Sequence, residues 1–437
     1  MNYDMVISGM TMGAPTGLWD SYNISDYQHN IKRKIQQTSN IYNNQTLSLL
    51  FNSFTEQKHG EIVSSTDLGF NNLYADSGGI QMITSKKGIT EELKDRVYRH
   101  QAKYSTYAFV FDEIPIYIDK KVNNGMNVLN NTSGKYYVKE MIVPSAKQTS
   151  LNIKRQVQLI DEVESETKIF IISQGDIIDN INLYIDTIME ELTDYEMSKV
   201  HGLALSTACV GTDLTSRFDV LYAYNHINVP DRIKKNIHLL GVGNVTSLFP
   251  VAYNDSYFKN IINISYDSTR QTNSYLFKKY TDSNHITYKL NNNRKDVHIC
   301  MREIYERNHK EFNDIHIKSY LDLIENLTKY SSLNKNNICK FYNKDFINVE
   351  QSYKYVHFYW VMEVIVNFMK QIDDIKNKRY NNYLKKNSSL FLMNKINDYQ
   401  DYIEWKKQTS YIQNRVKIIN KKNDIIKQNK LEEWIYE

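Results

Sequence analysis

Eight short apolar runs, each ending in polar or glycine residues, punctuate the first two thirds of the chain. Stretches whose apolar residues recur at three- and four-residue spacing lie between them. The runs are residues 5–10, 47–54, 72–79, 107–113, 168–176, 201–206, 238–243 and 260–267. Segments such as ITEELKDRVYRHQAKY, SLNIKRQVQLIDEV, NINLYIDTIMEEL and LTSRFDVLYAY separate them and read as amphipathic crossover helices. Thr149 or Ser150 supplies a start signal for a helix beginning near Leu151, and Asp213 for one beginning near Leu214.

Repeated strand and helix in alternation implies an α/β fold with a parallel sheet. Eight units match a closed (β/α)8 TIM barrel, whose usual size is about 250 residues; an open doubly wound sheet is the alternative. The barrel is expected over 1–285, with a helical C-terminal region over 286–437 that packs on it, since no Pro/Gly linker separates them. The polar stretch Lys120–Lys147 reads as a long loop insertion.

With 437 residues, 41% of them hydrophobic, the chain can bury a large core. Its start, MNYDMVISGM, carries Asp4 and no basic leader. The most apolar segment, Tyr353–Ile372, is interrupted by Lys354, His357, Glu363 and Lys370, so no membrane span is expected and a cytoplasmic, soluble protein is. Cys209, Cys300 and Cys339 stand far apart, which disfavours a disulfide framework. From Lys376 onward 14 Lys/Arg face 7 Asp/Glu, so the basic charge is concentrated in the tail. Such a tail is either a solvated helical face or a polyanion-binding surface.

The ends of barrel strands converge on one mouth, and here those ends are chemically rich. They carry Asn52, Asp76, Asp112 with Glu113, Gln174 with Gly175 and Asp176, Ser206, the Gly241-Val242-Gly243 turn, and Asp267. Any one of these has a structural explanation as a cap, a satisfied core polar group or a tight turn; their joint occurrence at one locus points to an active site. No GxxxxGK[ST] loop, HExxH or defensible Ser/His/Asp order is present. Two carboxylates serving as nucleophile and acid/base suit substitution at a sugar anomeric carbon. A further acid and an amide suit a guanine edge, where a carboxylate accepts from N1 and N2 hydrogens and an N–H donates to O6.

ADSGGIQ (75–81), FDEIP (111–115), SQGD (173–176), HGLAL (201–205), LLGVG (239–243) and YDS (266–268) resemble, in order and spacing, the tRNA-guanine transglycosylase superfamily over about residues 1–280. That resemblance implies a TIM barrel exchanging guanine in nucleic acid for a 7-deazaguanine base through a covalent intermediate. It implies Asp267 as nucleophile on C1′ and Asp76 as general acid/base. Asp112 and Gln174 would hold the guanine edge, with Ser77, Gly175, the backbone of Gly202, Leu203 and Ala204, and the Gly241 and Gly243 turn completing the substrate-binding set. Asn52 would touch the sugar, and Gly78 and Gly79 would let backbone approach the base.

Departures from the family refine this. Ser206-Thr207 replaces its Gly-Gly and re-lines the base pocket. Its CxCxxC and distant His are missing; Cys339 with His357 cannot fill four tetrahedral positions, and Cys300 with His298 and His309 reads as a cysteine beside surface histidines. No metal and no cofactor are therefore expected, and dimerisation through a zinc region loses its basis. Together with the basic tail and an AT-rich composition heavy in Asn, Lys, Ile and Tyr, these features resemble the branch acting on DNA in bacteriophages and DNA-modification clusters. The alternatives are a tRNA substrate or a non-catalytic nucleic-acid-binding partner on the same fold.

Overall fold

The computed structural model describes residues 1–8, 24–79, 89–115, 139–175, 177–206 and 214–269, short pieces of 271–307, then 347–379 and 396–409. Eight parallel strands close into a barrel in chain order: β1 (Asn2–Ile7), β2 (Gln45–Asn52), β3 (Leu73–Asp76), β4 (Tyr107–Phe109), β5 (Lys168–Ser173), β6 (Val200–Ser206), β7 (Asn236–Leu240) and β8 (Asn263–Ser268). The eight apolar runs are these eight strands. Pairing of β1 with β8, Val6 opposite Asp267, seals the barrel and excludes the open sheet.

Around it lie α1 (Ile24–Ser39), α2 (Gln57–Ser65), α3 (Glu91–Tyr104), α4 (Ile142–Glu162), α5 (Ile178–Glu191), α6 (Asp194–Lys199), α7 (Leu214–Ala223), α8 (Asp231–Lys234) and α9 (Val245–Tyr253). Local chemistry sets several starts. Thr90 caps α3 by accepting from the Leu93 N–H, followed by Glu91 and Glu92 at the positive end of the dipole. Thr193 and Glu196 form a reciprocal capping box on α6, and Asn244 accepts from the Ser247 N–H at the head of α9.

One expected start is corrected. Helix α4 begins at Ile142, so Thr149 and Ser150 lie inside it, and the last residues of the expected 120–147 insertion are helical. Both hydroxyls are spent on backbone: Ser150 Oγ donates to the Ala146 carbonyl at 2.9 Å, and Thr149 Oγ1 accepts from the Glu113 N–H at 2.9 Å. Apolar packing on both flanks overrides the capping signal, since Ile142, Ala146 and Ile153 are fully buried. Asp213, the other expected cap, and all three cysteines lie outside the described residues.

Past the barrel, β9 (Lys279–Thr281) and β10 (Thr287–Lys289) form an antiparallel hairpin, and α10 (Ile347–Lys376) packs against α9 and α1. Glu363 of α10 is 1% exposed and accepts from Lys34 Nζ of α1 and Arg307 Nη1, both at 3.0 Å. The Gln45 amide at the start of β2 donates to the Met369 carbonyl at 3.0 Å. Residues 399–409 are also helical; Tyr402 stacks on Tyr222 of α7 with centroids 4.2 Å apart. Among the described residues, no helix is long and apolar enough to cross a membrane.

Candidate active site

Strand β2 ends on Asn52 and β3 on Asp76, opposite one another in the ladder. Asn52 Oδ1 accepts from the N–H groups of Phe54 and Thr55 at 2.9 and 3.0 Å, which turns Nδ2 toward Asp76 Oδ2, 3.0 Å away. The Asn52 N–H donates in turn to the buried Glu56 carboxylate at 2.9 Å. Burial pushes the Asp76 carboxyl up to about 6; N–H donors of Gly78 and Ser77 oppose that rise, and the charges of Asp267 and Glu56 add to it. Asp76 is thus a carboxyl able to hold or release a proton near neutrality.

The two glycines after it differ. Gly78 has φ +71°, and a Cβ there would lie 2.6 Å from Phe54 Cβ and 2.8 Å from Asn52 Oδ1. Its need for glycine is accounted for by this left-handed turn against Asn52 and Phe54. At Gly79 a Cβ would make only ordinary contacts, 3.5 Å or more, with Phe111 and Ser77.

Asp112 follows β4 and Gln174 follows β5; both are buried, and the Gln174 amide donates to Asp112 Oδ2. Burial pushes the Asp112 carboxyl up to about 7, opposed by the bond from Gln174 and reinforced by the charges of Asp76 and Glu113. Gly175 turns the chain at φ +147°, where a Cβ would lie 2.6 Å from the Ile181 nitrogen at the start of α5. That turn fixes Gln174 against Asp112.

Asp267 stands on β8 with its side chain 13% exposed. Its Oδ1 faces two donors: the Gly241 N–H at 2.9 Å and His238 Nε2 at 3.2 Å. No hydrogen bond reaches Oδ2 among the described residues. Gly241, at φ +65°, therefore serves the carboxylate by aiming its N–H from the turn after β7. Gly243 lies deeper, its carbonyl accepting from Gln271 Nε2 at 3.1 Å.

The mouth thus gathers Asn52, Asp76, Ser77, Asp112, Gln174, Gly241 and Asp267. Gly202, Leu203 and Ala204 sit in the body of β6, paired with Phe170, Ile171 and Ile172. Gly202 leaves room for its neighbour strand, because a Cβ would lie 2.2 Å from the Asn236 carbonyl oxygen. Ala204 packs with Val6, Tyr74, Phe109, Phe170 and Ile172 in the apolar layer beneath the mouth. Ser206 ends β6, while Thr207 and Asp176 lie outside the described residues.

Two side chains escaped the sequence reading. His238 lies in an apolar run and is fully buried; its signal was the inward alternation Asn236, His238, Leu240. Glu56 sits one residue before α2 and looks like an ordinary helix-entry acid. Among the described residues no group of three or more His, Cys, Asp or Glu is placed to hold a metal ion. No family model matches the chain, and no curated protein matches it. The class is therefore set by the fold, a parallel eight-stranded β/α barrel with acids, an amide and glycine turns at the carboxyl ends of its strands.

Proposed function

We propose that the chain is a base-exchange transglycosylase that replaces guanine in DNA with a 7-deazaguanine base. The observation that carries this reading is the contrast between two carboxyls at one mouth. Asp267 has Oδ1 held by two N–H groups and, among the described residues, no hydrogen bond on Oδ2, whereas Asp76 is buried enough to keep a proton up to about 6. The first is equipped to attack, the second to move a proton.

In the first half-reaction Asp267 Oδ2 bonds to C1′ of the deoxyribose as the C1′–N9 bond breaks, and Asp76 delivers its proton to the departing guanine. Asp112 and Gln174 hold the base edge. In the second half Asp76 takes a proton from the incoming 7-deazaguanine, whose N9 displaces Asp267 from C1′. Asn52 orients Asp76, a role that its two backbone bonds and its amide bond support better than sugar contact.

DNA is preferred to tRNA because the family's zinc ligands are missing, Ser206-Thr207 stands where the family has Gly-Gly, and the C-terminal tail is basic. The test is incubation with duplex DNA and with tRNA, each with a labelled 7-deazaguanine, followed by nucleoside analysis and a denaturing gel. Label in DNA and an Asp267-dependent protein–DNA adduct are expected. Label in tRNA alone assigns the other substrate, and no adduct with either polymer leaves a non-catalytic binding partner.

A further inference from the structure

At the face opposite Asp76 and Asp267, where the strands begin, the barrel interior is open rather than filled. A cavity of about 320 Å³ lies there, within the size range of small-molecule pockets. Its lining comes largely from strand starts, among them Asn2 and Asp4 of β1, Thr46 of β2, Tyr107 of β4, His201 of β6 and Asn236 of β7. The interior of such a barrel is ordinarily packed with bulky branched side chains, and residues at this face serve stability. A lowest layer of polar side chains around a void does neither.

The cavity has two chemically different sides. Its inner side is aromatic: the Tyr107 ring centroid lies 4.5 Å from that of His201, 5.0 Å from Tyr74 and 5.7 Å from Phe170. Its rim is amide. Asn2 Nδ2 donates to Asn263 Oδ1 at 3.0 Å, Asn263 Nδ2 to Asn236 Oδ1 at 2.7 Å, and Asn236 Nδ2 to the His201 carbonyl at 3.0 Å. Every link runs the same way, so the amides are fixed in orientation and Asn2 Oδ1 stands at the open end.

The Tyr107 hydroxyl and the His201 imidazole are half-buried and have no hydrogen-bond partner among the described residues. Burial pushes the imidazole down to about 4, helped by the charge of Lys168, and it raises the Tyr107 phenol. Both groups are therefore neutral near pH 7, each offering a donor and an acceptor. Among the described residues that line the cavity there is no Lys or Arg. Its one acid, Asp4, is already engaged by the hydroxyls of Ser48, Thr46 and Tyr74 at 2.8, 2.9 and 3.0 Å, and burial raises its carboxyl. An anion thus finds no cation here in either protonation state of Asp4, and a metal ion finds too few ligands.

What fits is an uncharged molecule with a flat face for the rings and polar atoms in its plane for the rim. A free sugar carries hydroxyls around its whole perimeter and would press some of them, unpaired, on Phe170 and Ile237. A nucleobase gathers its polar atoms at the edge and leaves both faces for stacking. We propose that this cavity is a second, separate binding site for an uncharged nucleoside, whose base lies against the aromatic side and whose polar atoms are read by the Tyr107 hydroxyl, the His201 imidazole and the Asn2 amide oxygen. The site is independent of any chemistry at Asp267, which stands at the other end of the strands.

The test is calorimetric titration of the full-length protein at neutral pH with adenosine, guanosine and cytidine in turn, and with glucose and inorganic phosphate as probes of the excluded chemistries. At least one nucleoside is expected to bind, and neither glucose nor phosphate. Tyr107→Phe/His201→Phe keeps aromatic rings but strips their polar atoms, and is expected to weaken nucleoside binding by roughly tenfold or more. Asp112→Asn, altered at the opposite mouth, is expected to bind as wild type does. A readout that needs no double variant is the ¹⁵N-histidine spectrum of wild type, in which the His201 ring signal, assigned by His201→Gln, is expected to shift at saturating nucleoside. Absence of nucleoside binding at millimolar concentration overturns the proposal, as does glucose or phosphate binding as tightly, a His201 signal that stays still, or binding lost in Asp112→Asn and kept in the double variant. Nucleoside binding in a protein that forms no adduct with DNA or tRNA would overturn the transglycosylase reading and leave this site standing.

Discussion

The Asn52 amide and the Asp76 carboxylate meet at 3.0 Å across the ends of two neighbouring strands, and the other end of that amide is clamped by two backbone N–H groups. The pair behaves as a hinge-free bracket, with Asn52 unable to turn without leaving two donors unpaired. A hydrogen bond to a charged group contributes about 1.5–3 kcal/mol. Asn52→Ala is therefore expected to cut single-turnover adduct formation by roughly tenfold to a hundredfold, mainly in the chemical rate and little in DNA affinity; an unchanged rate in rapid-quench assays would remove Asn52 from the machinery.

The two half-reactions are expected to depend on pH in opposite senses. Because burial raises the Asp76 carboxyl to about 6, it keeps the proton needed by departing guanine below that value and loses it above. Adduct formation should decline as pH rises through about 6, whereas resolution of a preformed adduct by added base should increase over the same range. Both are measurable in single-turnover experiments between pH 5 and pH 8.

Asp112 gives a stability prediction of defined sign. Its carboxyl is raised to about 7 in the fold, so the folded state binds the proton more tightly than the unfolded chain does. The resulting stability is fully present below the unfolded value, near 3.8, and is lost as pH rises through 7. Asp112→Asn, which still offers Gln174 an acceptor, should be more stable than wild type at pH 8 by up to about 4 kcal/mol. The difference should vanish below pH 4 in denaturant titrations, and guanine exchange should be lost.

Gly78 and Gly79 separate conformational need from adjacency. Gly78→Ala meets Phe54 and Asn52 and a positive φ at once, so a loss of about 2–3 kcal/mol is expected, together with a weakened Asp76. Gly79→Ala should stay within about 1 kcal/mol of wild type by thermal melting.

The anchor of α10 should show an order rather than a single loss. Glu363→Leu takes the shared carboxylate from Lys34 and from Arg307, which keeps Glu303 at 2.8 Å, and is expected to cost about 3–5 kcal/mol. Lys34→Met leaves Glu363 still paired with Arg307 and should cost clearly less, as chemical denaturation can measure.

The alternation that marks a β/α unit is written locally, in runs of four to eight residues, and so the eight strands and their mouth were legible in sequence. Asp76, Asp112, Gln174 and Asp267 could be placed because each sits at or just past a strand end. What escaped was cross-strand chemistry. His238 acquires its meaning from Asp267 and Ser265 on the next strand, and Gly202 from Asn236 on another. Thr149 and Ser150 misled for a related reason: a capping residue type means nothing once packing carries the helix past it.

The seam between Asn2–Ile7 and Asn263–Ser268 joins the two ends of the barrel sequence. Closing so long a loop comes late in folding, after the local β/α contacts have formed. Asp267 lies on that seam, opposite Val6, and its partners His238 and Gly241 wait on β7. A nascent or partly folded chain therefore has Asp112 and Gln174 side by side before Asp267 is in place. The mouth is therefore complete only once the last seam of the barrel has closed, and any chemistry at Asp267 waits on topology rather than on local structure.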